Sequence, residues 1–284
     1  MSRVVNSPAT VRKCWATIAP AFIVRPGCPG ISHGSDAACP PLRLVCDLDC
    51  PLPAFLCMAR KKDLCDRILG AIKLANQAAF RLEDALGLRP KSQSPSQNQA
   101  TFALFHQVFG QAASEPWEIP GQPGRTIKAG AIVAQRFRTV AGELTTRDTI
   151  YRCVSVNRCL TMKNSPCSTG IGGPAVSSSS GHLGDPTNGC HPTDTVVVDA
   201  AAMALLCKNE VWLCPPFWQL KNFWQEGTIV HEMLHLCFGL TCAWFQHDPK
   251  EKKRNSANCY EVFATDGPGS ADPASVTACI NTPQ

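Results

Sequence analysis

The sequence predicts an α+β fold, mainly helical, with a small sheet beside one buried helix. Three observations lead there. Residues 61–86 and 129–144 repeat apolar side chains at helical spacing. Residues 149–156, 195–198 and 211–214 have the apolar or alternating pattern of strands. Residues 227–239 form an apolar helical run that Gly239 closes.

The domain so delimited covers residues 59–270, with a Cys-, Pro- and Gly-rich segment before it over 1–58 and a tail after it over 271–284. The leading segment has no helical period; it reads as a loop-rich piece stapled by disulfides, with one strand at 42–46. In the first long helix Leu64, Ile68, Ala71, Ala75, Ala78, Leu82 and Ala85 share a face, and Gly87 ends the run. Residues 89–98 read as a polar loop, 101–109 as a short helix closed by Gly110, and 115–130, dense in Pro and Gly, as a surface connection. In the second long helix Ile132, Val133, Phe137, Val140 and Ala141 point inward. Residues 165–188, rich in Ser and Gly, read as a long loop near a substrate.

A chain of 284 residues with 44% hydrophobic content can bury a large core, which excludes a disordered protein. The net charge of +5 is modest, and the basic clusters at 60–62 and 250–254 have no aromatic residues interleaved, so no nucleic-acid partner is expected. No apolar run is long enough for a membrane span; the longest candidate, 196–207, contains Asp199.

Seventeen cysteines point to an oxidising destination with several disulfides, and their odd number leaves one thiol over in a monomer. No CxxC pair occurs. Cys46 with Cys50, or Cys190 with His191, could contribute to a second metal site, but disulfides or free thiols are the simpler reading. Arg12 and Lys13 precede the apolar segment 14–24, yet Pro20, the late start and the lack of a small-residue cleavage pattern before Arg25 speak against a cleaved leader. The expectation is a secreted or exported protein without a clear signal peptide.

Inside the buried helical run stand His231, Glu232 and His235, an HExxH motif. Histidines four residues apart lie one above the other on a helix face, so both imidazoles can reach one metal ion, with Glu232 turned toward a water there. Ile229, Val230, Met233, Leu234, Leu236 and Phe238 surround them, and a divalent cation offsets the cost of burying such polar groups. A core helix with two hydrogen-bonded histidines and no metal is the plain alternative. Catalytic zinc takes three protein ligands and keeps one position open; the candidates for the third are Asp248, His247 and Glu261. Thr241 stands where a metzincin would place its third histidine. A small sheet ahead of the motif helix is the order that a zincin-like metallopeptidase domain requires, its edge strand pairing with extended substrate.

Four further stretches carry a family resemblance: Cys65 to Ala75, Phe105 to Gly110, Val211 to Trp218, and Arg254-Asn-Ser-Ala-Asn-Cys-Tyr-Glu-Val-Phe-Ala264. They are similar, in turn, to the opening helix, the aromatic-Phe-Gly segment, the pre-catalytic strand and the Asn-Ala-Asp-x-Tyr-Glu-x-Phe-Ala helix of the aspzincins, the deuterolysin and lysine-specific metallo-endopeptidase group. The resemblance spans roughly residues 60–266. It implies a zinc endopeptidase acting on protein or peptide substrates, with Zn2+ held by His231, His235 and Asp248, and Glu232 as general base for the attacking water. It also implies disulfides Cys65–Cys153 and Cys159–Cys214.

The family's lysine preference after the cut is attributed to acidic residues of that last helix; Glu261 keeps one and Asn258 replaces the other, and both are assigned to substrate binding. The family's Gly-Thr-x-Asp-x-x-Tyr-Gly motif is altered here. Its aspartate arrives later, as Asp248, and Glu251 stands in place of the tyrosine, leaving Tyr260 as a substitute or a core residue. The lost Tyr-Gly keeps open a catalytically silent metal-binding protein; a cysteine-rich secreted interaction module with a structural HExxH helix is the alternative of a different class, and a peptidase delivered to another cell by its N-terminal segment would reconcile the chemistry with the missing leader.

Overall fold

Gly87 and Gly110, both at φ 68°, terminate the first two helices, as a residue without Cβ can at no steric cost. The computed structural model describes residues 39–40, 42–46, 52–118, 124–153, 175–177, 202–205, 210–213, 215–238, 240 and 253–280. Six α-helices are seen there: α1 (Ala54–Ala85), α2 (Pro95–Phe109), α3 (Ala129–Thr146), α4 (Asn222–Phe238), α5 (Ala257–Ala264) and α6 (Pro273–Ile280). The strands are β1 (Leu42–Cys46), β2 (Pro116–Glu118), β3 (Thr126–Lys128), β4 (Thr149–Cys153), β5 (Ala175–Ser177), β6 (Ala202–Leu205) and β7 (Glu210–Leu213). The fold is α+β and mostly helical, as expected.

The larger sheet runs β1-β4-β7-β6-β5. Only β6 and β7 pair antiparallel within it. β1, from the cysteine-rich leading segment, pairs with β4 in the register Leu42 to Thr149. Helix α4 packs against α1, α3 and α5 and lies along β6 and β5, which sets the HExxH segment between the helical core and one end of the sheet.

Several boundaries differ from the expectation, each for a physical reason. Helix α1 starts at Ala54, not at 61, because its first turns expose Phe55 (72%) and Met58 and so break the apolar period. Helix α2 starts at Pro95, inside the supposed loop: Ser94 accepts from the Gln97 backbone while the Gln97 side chain accepts from the Ser94 backbone, a capping box with Pro in the first turn. The connection at 115–130 contains the hairpin β2/β3, in which Trp117 turns inward opposite Ile127. β5 falls within the loop expected at 165–188. The strand expected at 195–198 lies outside the described residues.

Cys65 bonds Cys39, not Cys153, because α1 returns along β1 and brings its buried face within 5.7 Å, Cα to Cα, of the residue that leads into that strand. Cys46 bonds Cys57, which removes it from any metal site. Cys153 is also disulfide-bonded, and Cys159 and Cys214 lie outside the described residues. At the other end Cys259 bonds Cys279, joining α5 to α6, the segment that had read as a tail. No described helix is long and apolar enough to cross a membrane.

The core is densest where Phe105, Phe109, Phe137, Tyr260 and Phe263 meet, with ring centroids 4.7–6.1 Å apart. Tyr260 belongs to this cluster; its hydroxyl accepts from buried Arg136, which also donates to the Arg254 carbonyl at 2.8 Å and lies over the Trp117 ring. Arg67 pairs with Glu226 at 2.8 Å to link α1 and α4, and Arg138 grips Glu83 through two hydrogen bonds of 2.9 and 2.7 Å to link α3 and α1.

Removing the ring at the centre of that cluster leaves a cavity that rigid helices cannot close. Phe137→Ala is expected to lower stability by about 3–5 kcal/mol in urea unfolding. A loss under about 1 kcal/mol would show that the aromatic cluster does not hold α5 in place.

Candidate functional site

Helix α4 buries His231, Glu232 and His235 completely. The two rings, one helical turn apart, stand 4.7 Å apart between centroids at 74°, and their Nε2 atoms approach to 3.0 Å. Their Nδ1 atoms point away to separate acceptors. His235 Nδ1 meets the Leu240 carbonyl just past the helix end, and His231 Nδ1 meets Glu261 Oε2 of α5 at 3.1 Å. Ser275 of α6 donates to the same Glu261 oxygen at 2.7 Å.

These partners determine which nitrogen carries the hydrogen. A carbonyl only accepts, so His235 Nδ1 holds its proton; the ionised form of Glu261, whose Oε2 already accepts from Ser275, does the same for His231 Nδ1. Burial pushes His231 down to about 3 and His235 well below its ordinary range, so both imidazoles are neutral and each Nε2 presents a lone pair. In this tautomeric form the two lone pairs stand 3.0 Å apart, and a cation bound by both would relieve their repulsion. Two zinc–nitrogen bonds at a tetrahedral angle would separate the nitrogens by about 3.3 Å, so the pair fits a zinc ion with little movement. Imidazoles whose other nitrogen is tied to a carboxylate or a backbone carbonyl are the usual form of histidine ligands.

Among the described residues no third His, Cys, Asp or Glu completes a metal-binding group. Asp248 and His247 lie outside the described residues. Glu261 sits at the Nδ1 side of His231, opposite to the converging Nε2 atoms, which removes it as a third ligand. It is 2% exposed and occupied by His231 and Ser275; burial raises its carboxyl to about 7 against the Ser275 hydrogen bond. Asn258, one turn earlier on α5, is buried as well. Glu232 lies about 100° round the helix from His231.

Three participants were missed in the sequence: Ser275, the Leu240 carbonyl and Gly227. A Cβ on Gly227 would stand 3.2 Å from Glu261 Cγ and from Thr265 Cγ2, so this glycine lets α5 lie against α4 one turn before His231. A glycine four residues ahead of a histidine within a helical run was the available signal. Ser275 had none beyond the nearby Cys279.

No protein-family model matches this chain, and no curated protein matches it. The aspzincin resemblance therefore remains an expectation from its motifs.

On helix propensity alone Gly227→Ala would stabilise α4 by about 1 kcal/mol. The contact with Glu261 predicts a cost at the site instead: Zn2+ affinity, measured by competition with a chromophoric chelator, should fall about tenfold as His231 loses its alignment. Unchanged affinity would show that the close approach of α5 does not govern the site.

Proposed function

We propose that the chain is a secreted zinc-dependent endopeptidase. The observation that carries this reading is the pair of buried imidazoles of an HExxH helix, with Nε2 atoms converging at 3.0 Å and both Nδ1 atoms anchored. His231 and His235 would hold the ion, with Asp248 as the third ligand that the aspzincin resemblance implies. Zinc in such a site acts as a Lewis acid toward a peptide carbonyl and makes water acidic enough to attack near neutral pH.

The chain's own residues supply the rest. Glu232, fixed on the same rigid helix, takes the proton from the attacking water and passes it to the departing amine, so the peptide C–N bond breaks as the new C–O bond is completed. Glu232 is fully buried, which limits the orientations open to its side chain. Among the described strands β5 ends the order on the side of α4, where an extended peptide would add to the sheet through main-chain hydrogen bonds. Tyr260 takes no part, since its hydroxyl is committed to Arg136 in the core. A lysine side chain after the cut would need a carboxylate facing it, and Glu261 faces His231 and Ser275 instead. The disulfides Cys39–Cys65, Cys46–Cys57 and Cys259–Cys279 support an oxidising destination.

Elemental analysis together with cleavage of an unfolded protein substrate tests the reading. Wild type and Glu232→Ala should carry about one zinc ion per chain and His235→Ala none, while cleavage falls by about 10²–10⁴-fold in Glu232→Ala. A metal-replete wild type without zinc would sink the proposal; zinc without cleavage would favour the catalytically silent reading. Treatment with 1,10-phenanthroline should abolish cleavage and added Zn2+ restore it.

A further inference from the structure

We infer that Ser275, Glu261 and His231 form a positioning relay in which the C-terminal helix fixes the tautomer and aim of a zinc-binding imidazole. The inference rests on the metal reading above and gives Glu261 a role toward the metal ligand in place of the substrate contact that the resemblance implies. Three independent features carry it.

The first is the hydrogen bonding. Ser275 Oγ and His231 Nδ1 meet one oxygen of Glu261, at 2.7 and 3.1 Å, and all three side chains are buried. Two donors on one acceptor orient the carboxylate, and the carboxylate in turn holds the hydrogen of His231 on Nδ1, leaving Nε2 free to bind a cation. The second is the space that Gly227 leaves. Glu261 Cγ and Oε1 would lie 3.2 and 3.3 Å from a Cβ there, so its side chain threads between α4 and α5 where other residues would obstruct it. The third is covalent. Cys259, two residues before Glu261, is bonded to Cys279, one turn after Ser275, which ties together the two helices that supply the relay.

The relay differs from ordinary core packing in what it does to one nitrogen. A merely structural Glu261 would affect stability and leave His231 indifferent between its two neutral tautomers. A positioning Glu261 sets the tautomer and thereby the affinity for metal. Its partner on the other ring, the Leu240 carbonyl, performs the same task for His235 without a charged group.

The full chain is compared as wild type, Glu261→Ala, Glu261→Gln and Ser275→Ala. Zn2+ affinity is read by chelator competition, and the His231 tautomer in the metal-free protein by long-range ¹H–¹⁵N correlation of the imidazoles. Glu261→Ala should weaken zinc binding about 10–100-fold and lose the single Nδ1–H form of His231. Glu261→Gln keeps an acceptor oxygen and should recover part of both, and Ser275→Ala should cost a few-fold. Ser275→Ala removes one hydroxyl and keeps the test informative if Glu261→Ala fails to fold. Zinc affinity within twofold of wild type and an unchanged tautomer across the variants would overturn the relay while leaving the metal reading intact. A wild type that binds no zinc would overturn the metal reading, and the relay with it as a metal-positioning device, whereas loss of the tautomer in Glu261→Ala would still register the hydrogen bond itself.

Discussion

Two buried imidazole nitrogens turned toward each other at 3.0 Å impose the constraint on which the arrangement of this protein depends. Neutral histidines can be buried if their N–H groups are satisfied, and here both are. With both hydrogens on Nδ1, the two Nε2 atoms are both acceptors. The proposed cation would lie between them, and every neighbouring element contributes to holding the rings in that arrangement. Helix α4 supplies the one-turn offset, the chain just beyond its end supplies the Leu240 carbonyl, and α5 supplies Glu261.

The aromatic cluster explains how α5, only eight residues long, holds its place against α4. Tyr260 and Phe263 anchor it among Phe105, Phe109 and Phe137 from α2 and α3, while Glu261, between those two in sequence, turns to the opposite side and reaches the site. Arg136 lies beneath this arrangement with its guanidinium donating to Tyr260 and the Arg254 carbonyl and spread against the Trp117, Phe238 and Tyr260 rings. Such a cation needs several partners at once to be tolerated inside, so it also fixes the distance between α3 and α5. Arg67 with Glu226 and Arg138 with Glu83 extend the same logic to α1, and Gly70 leaves the room in which the Glu226 side chain lies over that helix.

Long periodic segments were legible from the sequence because burial on one face repeats at the helical period: α1, α3 and α4 were all expected, with α1 misplaced only where its first turns expose Phe55 and Met58. Short elements were harder. β2 and β3 have three residues each, too few for alternation to rise above the Pro and Gly around them, and the capping box at Ser94 was hidden in a run of polar residues that resembles a loop. The cysteines announced disulfides but not their partners, since the bond depends on which Cα atoms the fold brings within reach. Cys65 accordingly joins Cys39, a residue of the leading segment, through the return of α1 along β1.

What the sequence by itself determined is the identity of the converging groups. His231 and His235 share a face because an α-helix has 3.6 residues per turn, and the apolar residues around them ensure that this face is buried. What only the tertiary structure decided is the direction in which each ring presents its lone pair. That direction comes from acceptors 5 and 30 residues away in the chain, the Leu240 carbonyl and Glu261, and from Ser275 behind the latter. Hydrogen bonds between residues distant in sequence leave no periodic trace, and their geometry exists only once the helices that carry them have packed.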